Sequence, residues 1–278
     1  MSKRKFSIGK ILINVAVFAV AILFFVPFVL SVLIAFQTPM ETAYNFLTIP
    51  YALRFDNFVD AMERARLGQA FRNSIIVTSG TVALAVLCSS MAGYGIGRHY
   101  QKKEMRYYEL LLLASFMLPF QTIMIPVYRM YMNLGLLNTL HGAVLMIAAS
   151  HLAFSTMLYI GFVKTLPPEL EEAARIEGYG DMRIFFLIVF PLLKNITFTV
   201  ATLTTLWTWN EFNISLIVLQ REAVRTIPIQ QFVFFAQFTA QFNTAFAAAV
   251  ISMVPVILFF LFAQKFIVKG LTDGAIKG

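Results

Sequence analysis

Apolar residues in this sequence form long runs, and the charged residues stand mostly at the ends of those runs. A helix needs about 20 apolar residues to cross the hydrocarbon core of a bilayer. With charges and turn residues as boundaries, six runs are long enough. They predict transmembrane helices over residues 11–36, 73–97, 110–128, 142–163, 197–219 and 245–266. The expected fold is therefore an all-α, polytopic membrane protein with six transmembrane helices.

Local residue chemistry supports these boundaries. The uncharged stretch from Arg129 to Lys164 is too long for one span, and the turn residues at 133–135 and 138–139 break it. Prolines at positions 27, 119, 126 and 255 fall inside predicted spans, where helices in lipid tolerate them. The first apolar run exceeds the roughly 7–15 residues of a signal-peptide core and has no A-x-A-like cleavage site after it. We therefore expect the first span to be retained.

The distribution of Lys and Arg predicts the orientation of the spans. If the N-terminus is inside, 15 of the 22 basic residues lie on the cytoplasmic side and 7 lie outside. Cytoplasmic loops carry the excess of basic residues, so both termini are predicted to be cytoplasmic. The predicted organisation is a cytoplasmic segment 1–10, a six-helix transmembrane domain 11–268 containing a cytoplasmic loop 164–194, and a cytoplasmic tail 269–278.

Composition excludes several classes of protein. The chain is 59% hydrophobic and 13% charged, whereas soluble domains carry roughly 25% charged residues. The net charge of +8 would suit nucleic acid, but the basic residues flank apolar runs in short clusters. One cysteine, Cys88, and three dispersed histidines provide neither a disulfide framework nor metal-ligand spacing. We expect no metal and no cofactor.

The loop between the fourth and fifth predicted spans carries the strongest local signal. Pro167 and Pro168 suit the start of a helix, and three glutamates follow in its first turn, where carboxylates favour the positive helix end. Ala173 and Ala174 are small enough for close docking, and Gly178 can adopt a positive φ and end the helix. A short helix, followed by a second element that runs to Pro191, is therefore predicted to project from the membrane.

This loop resembles the EAA loop of ABC importer permeases. The family pattern is Glu-Ala-Ala, three residues, Gly, nine residues, Ile, one residue, Leu-Pro. Six residues fall on that spacing, and the departure is Phe190 where Leu is usual: Glu172, Ala173, Ala174, Gly178, Ile188 and Pro191. Four further stretches are similar to carbohydrate-importer permeases, especially the shorter six-span subunit of maltose-type importers: 73–74, 134–139, 209–212 and 268–278.

The resemblance implies a division of labour among subunits. Glu172, Ala173, Ala174 and Gly178 would dock on a cytoplasmic ATP-binding subunit, a second permease would complete the pathway, and an extracytoplasmic binding protein would deliver a sugar. The tail would enter the interface between the two ATPase subunits. The sequence contains no G-x-x-x-x-G-K-[ST] phosphate-binding loop, so the chain is expected to be a transport subunit of a prokaryotic cell membrane and not an enzyme.

Polar and aromatic residues in the fifth predicted span are candidates for the translocation pathway: Trp209, Asn210, Glu211 and Asn213. Charge within a membrane usually faces a cavity or a partner, and aromatic and amide groups suit a sugar. A buried hydrogen bond between helices, or a position at the membrane interface where Trp is common, would explain the same residues.

The predicted outer loop at 221–243 contains Gln230, Gln231 and Gln237. The resemblance implies that this loop reaches into the binding protein, while a re-entrant or packing segment is the alternative.

Two other functions stay open from the sequence. An ABC permease for a non-sugar solute would share the EAA pattern. An ion-coupled secondary transporter would need several intramembrane carboxylates, of which Glu211 is the main one, and would not need the EAA loop.

Overall fold

The computed structural model describes the backbone of residues 8–237 and 242–275, and side chains at 9–10, 12–236 and 242–264. Within these residues the regular elements are helices, and no strand occurs. The helices are α1 (Ile8–Phe36), α2 (Pro39–Asn45), α3 (Asp56–Arg64), α4 (Leu67–Arg98), α5 (Lys103–Phe116), α6 (Phe120–Asn133), α7 (Leu140–Val163), α8 (Glu169–Ile176), α9 (Asp181–Leu192), α10 (Lys194–Trp209), α11 (Asn213–Val218), α12 (Ile227–Gln237) and α13 (Phe242–Ala275).

Among the described residues, four helices are long and apolar enough to cross a membrane, namely α1, α4, α7 and α13. Two further candidates are bent pairs: α5 with α6 at 97°, and α9 with α10 at 79°. The all-α, multi-pass fold is confirmed, with four spans, or up to six if each bent pair counts as one. The predicted tail 269–278 starts inside α13, whose backbone stays helical through Ala275; residues 276–278 lie outside the described part.

The third and fifth predicted spans differ from straight helices. In the third, α5 ends at Phe116 and Pro119 caps the start of α6, because proline lacks the N–H that a continuous helix would need there. In the fifth, α10 ends at Trp209 and the short α11 follows after Asn210 to Phe212. The residues between α5 and α6 are apolar, and apolar runs lie on both sides of the short polar break between α10 and α11, so hydropathy alone joined each pair of helices.

The chain divides into two compact units, residues 1–67 with 231–254 and residues 68–230 with 255–278. In the first unit the fully buried Gln37 organises the region after α1. Its Nε2 donates to the carbonyl of Thr48 at 2.5 Å, and its Oε1 accepts from the hydroxyl of Thr42 at 2.9 Å. Asn243 donates to the carbonyl of Ile34 at 2.9 Å. Amide side chains thus donate to backbone carbonyls near the end of α1 and in the segment after α2.

In the second unit, glycines let α4 approach α7 closely. A Cβ at Gly80 would meet the side chain of Val144, one at Gly93 would overlap Tyr159, and one at Gly97 would lie 3.0 Å from Val163. Small residues at helix interfaces allow this backbone approach in membrane proteins.

One end of α7 packs into a buried cluster with α8, α9 and α10. The cluster includes Tyr159, Val163, Ala174, Phe185 and Leu193. Residues Phe185–Val189 of α9 form a π-helical turn, and α9 continues around it to the bend before α10. This cluster fixes the position of α8.

Candidate functional site

The short helix α8 begins and ends as its residues dictate. Pro168 occupies the position before the first turn with φ −68°, and Glu169, Glu171 and Glu172 follow. Gly178 has φ +85°, as predicted. Its N–H donates to the carbonyl of Arg175, and the N–H of Tyr179 donates to that of Ala174, both at 3.0 Å. These two bonds form a Schellman motif, which ends the helix sharply.

A buried ion pair anchors one face of α8 to the end of α4. Oε1 of Glu171 lies 2.5 Å from Nη2 of Arg98, and their side chains are only 5% and 16% exposed. The hydroxyl of Tyr94 donates to Oε2 of Glu171 at 2.8 Å, and Nη1 of Arg98 donates to the carbonyl of Leu166 at 2.9 Å. Among the described residues, Oε1 of Glu171 has the ion pair with Arg98 but no hydrogen bond of good geometry. The contact of this oxygen with α4 is therefore mainly electrostatic and requires the charges of both Glu171 and Arg98.

The opposite face of α8 is exposed and mixed in character. Glu172 and Ala173 are exposed, and Ile176 is 89% exposed. Ala174 instead faces the buried cluster, at 5% exposure. Of the four predicted coupling residues, Glu172 and Ala173 therefore lie on the free surface, Ala174 seats the helix and Gly178 turns the chain.

The two tryptophans of α10 lie in different environments. Trp207 contacts His151 and Phe154, with ring centroids 5.6 and 5.1 Å apart. The ring of Trp209 packs against that of Phe71, with the ring centroids 6.2 Å apart. Trp209 also lines, with Thr205 and other residues, an apolar cavity of about 410 Å³. Trp209 is one of the predicted pathway residues, and helical geometry gives it different neighbours from those of Trp207.

Glu211 caps α11. Its Oε1 accepts the N–H of Ile214 at 2.8 Å, and its Oε2 accepts that of Ser215 at 2.9 Å. A carboxylate at the start of a helix satisfies unpaired donors and favours the positive end of the dipole. Asn210 is exposed and donates to the carbonyl of Leu206, and Asn213 is exposed at the start of α11. The structure thus brings Asn210, Glu211 and Asn213 together at one turn and gives Glu211 a structural task.

Other polar residues that the sequence comparison singled out also bind backbone. Asn73 donates to the carbonyls of Ala223 and Arg225 at 3.1 and 2.9 Å, and the hydroxyl of Ser74 accepts the N–H of Ile227. Asn138, with φ +57°, accepts the N–H of Arg221 at 2.8 Å. These side chains hold the segment that leads into α12.

The three glutamines proposed for the outer loop are placed differently from one another. Gln230 is buried at 6% exposure, so it presents no free surface in this chain. Gln231 donates to the carbonyl of Ala248 at 3.3 Å. The side chain of Gln237 lies outside the described residues. A helix, α12, forms where a loop was expected.

Sequence reasoning missed the roles of Tyr94, Arg98 and Glu171. Arg98 served only as a boundary of the second span, and Glu171 only as one of three first-turn acids. The available signal was the helical position of Glu171 beside Ala174, on the face that turns toward the protein.

Comparisons with known proteins agree with this architecture. The sequence profile described as "Binding-protein-dependent transport system inner membrane component" matches residues 85–273. The chain is 35% identical over 260 residues to the melibiose/raffinose/stachyose import permease protein MelC of Bacillus subtilis, covering 93% of this chain and 94% of MelC. It is 32% identical over 274 residues to the probable starch degradation products transport system permease protein AmyC of Thermoanaerobacterium thermosulfurigenes, covering 99% of each.

The fold is also that of a solved transporter. A chain of a bacterial ABC transporter that imports the acidic polysaccharide alginate superposes with a TM-score of 0.80 at 20% identity, covering 95% of this chain and 98% of that one. The relatives and the fold agree over nearly the whole length and the profile over residues 85–273, and the chain belongs to the family of binding-protein-dependent transport system inner membrane components.

Proposed function

We propose that this chain is a transmembrane permease subunit of an ABC importer that carries a sugar or oligosaccharide across a prokaryotic cell membrane. Its family membership and the names of its relatives, which include melibiose, raffinose and stachyose import, support a carbohydrate substrate. A second permease, a separate ATP-binding subunit and an extracytoplasmic binding protein complete the importer.

The observation that carries this proposal is the two-faced character of α8. Glu171 and Ala174 hold one face against the protein, and Glu172, Ala173 and Ile176 lie free on the other. A rigid helix with an exposed apolar side chain suits a groove on a partner, because a few side chains that become buried at an interface carry most of its binding energy. We assign the partner as the ATP-binding subunit, so that its movement is passed through α8 to α4.

The proposed orientation puts both termini and α8 in the cytoplasm, in agreement with the bias of basic residues. Contact with the binding protein is assigned to the segment 221–243. Gln231 is the candidate there, since Gln230 is buried.

The test is reconstitution of the chain with its partner subunits in liposomes that contain or lack ATP inside. The substrates are melibiose, raffinose, stachyose and maltodextrins, presented by the binding protein. ATP-dependent accumulation of one of them is expected. The assignment of a sugar as the substrate would be wrong if none of these sugars were taken up while an amino acid or phosphate entered in an ATP-dependent manner. Uptake driven by an ion gradient without ATP would refute the importer.

A further inference from the structure

A groove of about 600 Å³ runs between α4, α5 and α7. It is wholly within one compact unit, and its lining is mostly apolar, with Ala92, Gly95, Leu112 and Leu152 among the contributing residues. Thr156, fully buried, also lines it, and its hydroxyl has no hydrogen-bond partner among the described residues. The surface therefore suits a chain-like apolar ligand.

A basic cluster stands in the sequence beside two residues that line the groove, His99 and Met105. His99 lines the groove, and its Nδ1–H donates to the carbonyl of Gly95 at 3.0 Å, which leaves Nε2 available. Lys102, Lys103 and Arg106 follow, and all three are exposed.

The acids near this cluster do not neutralise it. Glu109 pairs with Lys164 at 3.6 Å, and Glu171 pairs with Arg98. Glu104 is the acid that remains in the loop from Arg98 to Glu109. Three basic side chains against one acid leave an excess of positive charge in the segment that contributes His99 and Met105 to the groove.

We propose that this groove binds an anionic phospholipid, with an acyl chain between α4, α5 and α7 and the headgroup phosphate at Lys102, Lys103, Arg106 and His99. Basic pockets between transmembrane helices on the cytoplasmic side bind anionic headgroups. A second permease is disfavoured as the occupant because lysine is depleted from protein interfaces. Assignment of the lipid to the cytoplasmic leaflet rests on the orientation given in the proposed function. The binding chemistry does not depend on that orientation.

The first test fills the groove. A Cβ at Gly95 would meet no atom within 4 Å, so Gly95→Leu projects into open groove without a backbone clash. Gly161 in α7 is exposed and equally open, so Gly161→Leu is the matched control. The complete complex is purified from membranes containing phosphatidylglycerol and washed with detergent, and the phosphatidylglycerol that remains is measured by mass spectrometry. Retention by wild type and Gly161→Leu, and loss by Gly95→Leu, are expected.

The second test removes the headgroup contacts. The triple variant Lys102→Gln, Lys103→Gln, Arg106→Gln should bind phosphatidylglycerol about a hundredfold more weakly than wild type. Lys194→Gln, an exposed lysine in another segment, should bind normally. Phosphatidylcholine, with no net charge, should bind all variants equally weakly.

Two results would overturn the site. One is equal retention of phosphatidylglycerol by wild type, by Gly95→Leu and by the triple variant. The other is loss of the second permease from the Gly95→Leu complex with lipid retention unchanged, which would make the groove a protein interface. Lipid retention is measured without transport, so it can succeed or fail independently of ATP-driven sugar uptake.

Discussion

Nη2 of Arg98 lies 2.5 Å from Oε1 of Glu171, and this contact joins the last turn of α4 to the first turn of α8. Both side chains are largely buried. Movement of α8 by a partner would therefore pull directly on a long membrane-spanning helix. The pair is thus a direct contact between α8 and a helix long enough to cross the membrane.

Loss of one charge of this pair should lower the stability of the fold more than replacement of both charged residues by apolar ones. Glu171→Gln leaves the Arg98 charge buried without a partner, which typically costs about 3–5 kcal/mol of stability. The double variant Arg98→Met, Glu171→Leu removes both charges and should restore most of that loss. Unfolding of the solubilised complex measures the difference between the single and double variants.

The same variants separate folding from coupling. The double variant should hydrolyse ATP but accumulate little sugar, because the link from α8 to α4 is gone. Arg175→Gln is the control, since its pair with Asp181 is exposed and such pairs contribute about 0–1 kcal/mol. Full uptake by the double variant would contradict a coupling role for the link.

The sequence predicted the helical membrane fold well because long apolar runs leave few alternatives. It also predicted the turn at Gly178 and the break before α7, where Gly135 and Asn138 have positive φ. It failed at the bend beside Pro119 and at the break after Trp209, because hydropathy measures apolar content and not the direction of the chain.

Within the candidate site, the sequence predicted where α8 starts and ends but missed side-chain contacts, both local and distant. The cap of α11 by Glu211 joins residues three and four apart, but the carboxylate was read as a pathway group from its place in an apolar run. The pairing of Glu171 with Arg98 joins residues far apart in sequence, and no local pattern encodes it.

Gly93 should be intolerant of even one added methyl group. A Cβ there would overlap the side chain of Tyr159 and crowd the backbone of α7. Overpacking of this kind costs about 1–3 kcal/mol, so Gly93→Ala should lower the unfolding temperature of the solubilised complex. Gly95→Ala is the matched control, because a Cβ at that position meets nothing within 4 Å. Equal stability of the two variants would show that α4 and α7 do not pack this closely.

Substitutions at Glu211 can separate a capping role from a pathway role. Glu211→Ala removes both acceptors and should cost about 0.5–2 kcal/mol, with reduced uptake because the turn loosens. Glu211→Gln keeps one acceptor oxygen and should retain most transport if capping is the main task. Loss of uptake in Glu211→Gln with normal assembly would instead indicate that the charge serves the translocation pathway.

Low pH should loosen the segment around α2. The N–H groups of Thr38 and Tyr51 donate to the carboxylate of Glu41, and these bonds hold its pKa below the usual value. A lowered pKa in the folded state stabilises the fold above the unfolded pKa, and that contribution disappears as pH falls through the folded pKa. Hydrogen exchange at Thr38 and Tyr51 should therefore show less protection in acid, and Glu41→Gln should remove this pH dependence. Unchanged pH dependence in Glu41→Gln would assign it to another group.

Ile176 should anchor the ATP-binding subunit. It is the most exposed apolar side chain of α8, and Ile176→Glu would place a charge where the proposed groove is apolar. A central anchor is worth about 2 kcal/mol or more, so co-purification of the ATP-binding subunit should fall by a factor of about 30. Met40→Glu, at a site 84% exposed in α2, is the matched control and should leave the complex intact. If Ile176→Glu retains the subunit as well as Met40→Glu does, the exposed face of α8 is not the docking surface, and the Arg98–Glu171 pair would then have only a structural role.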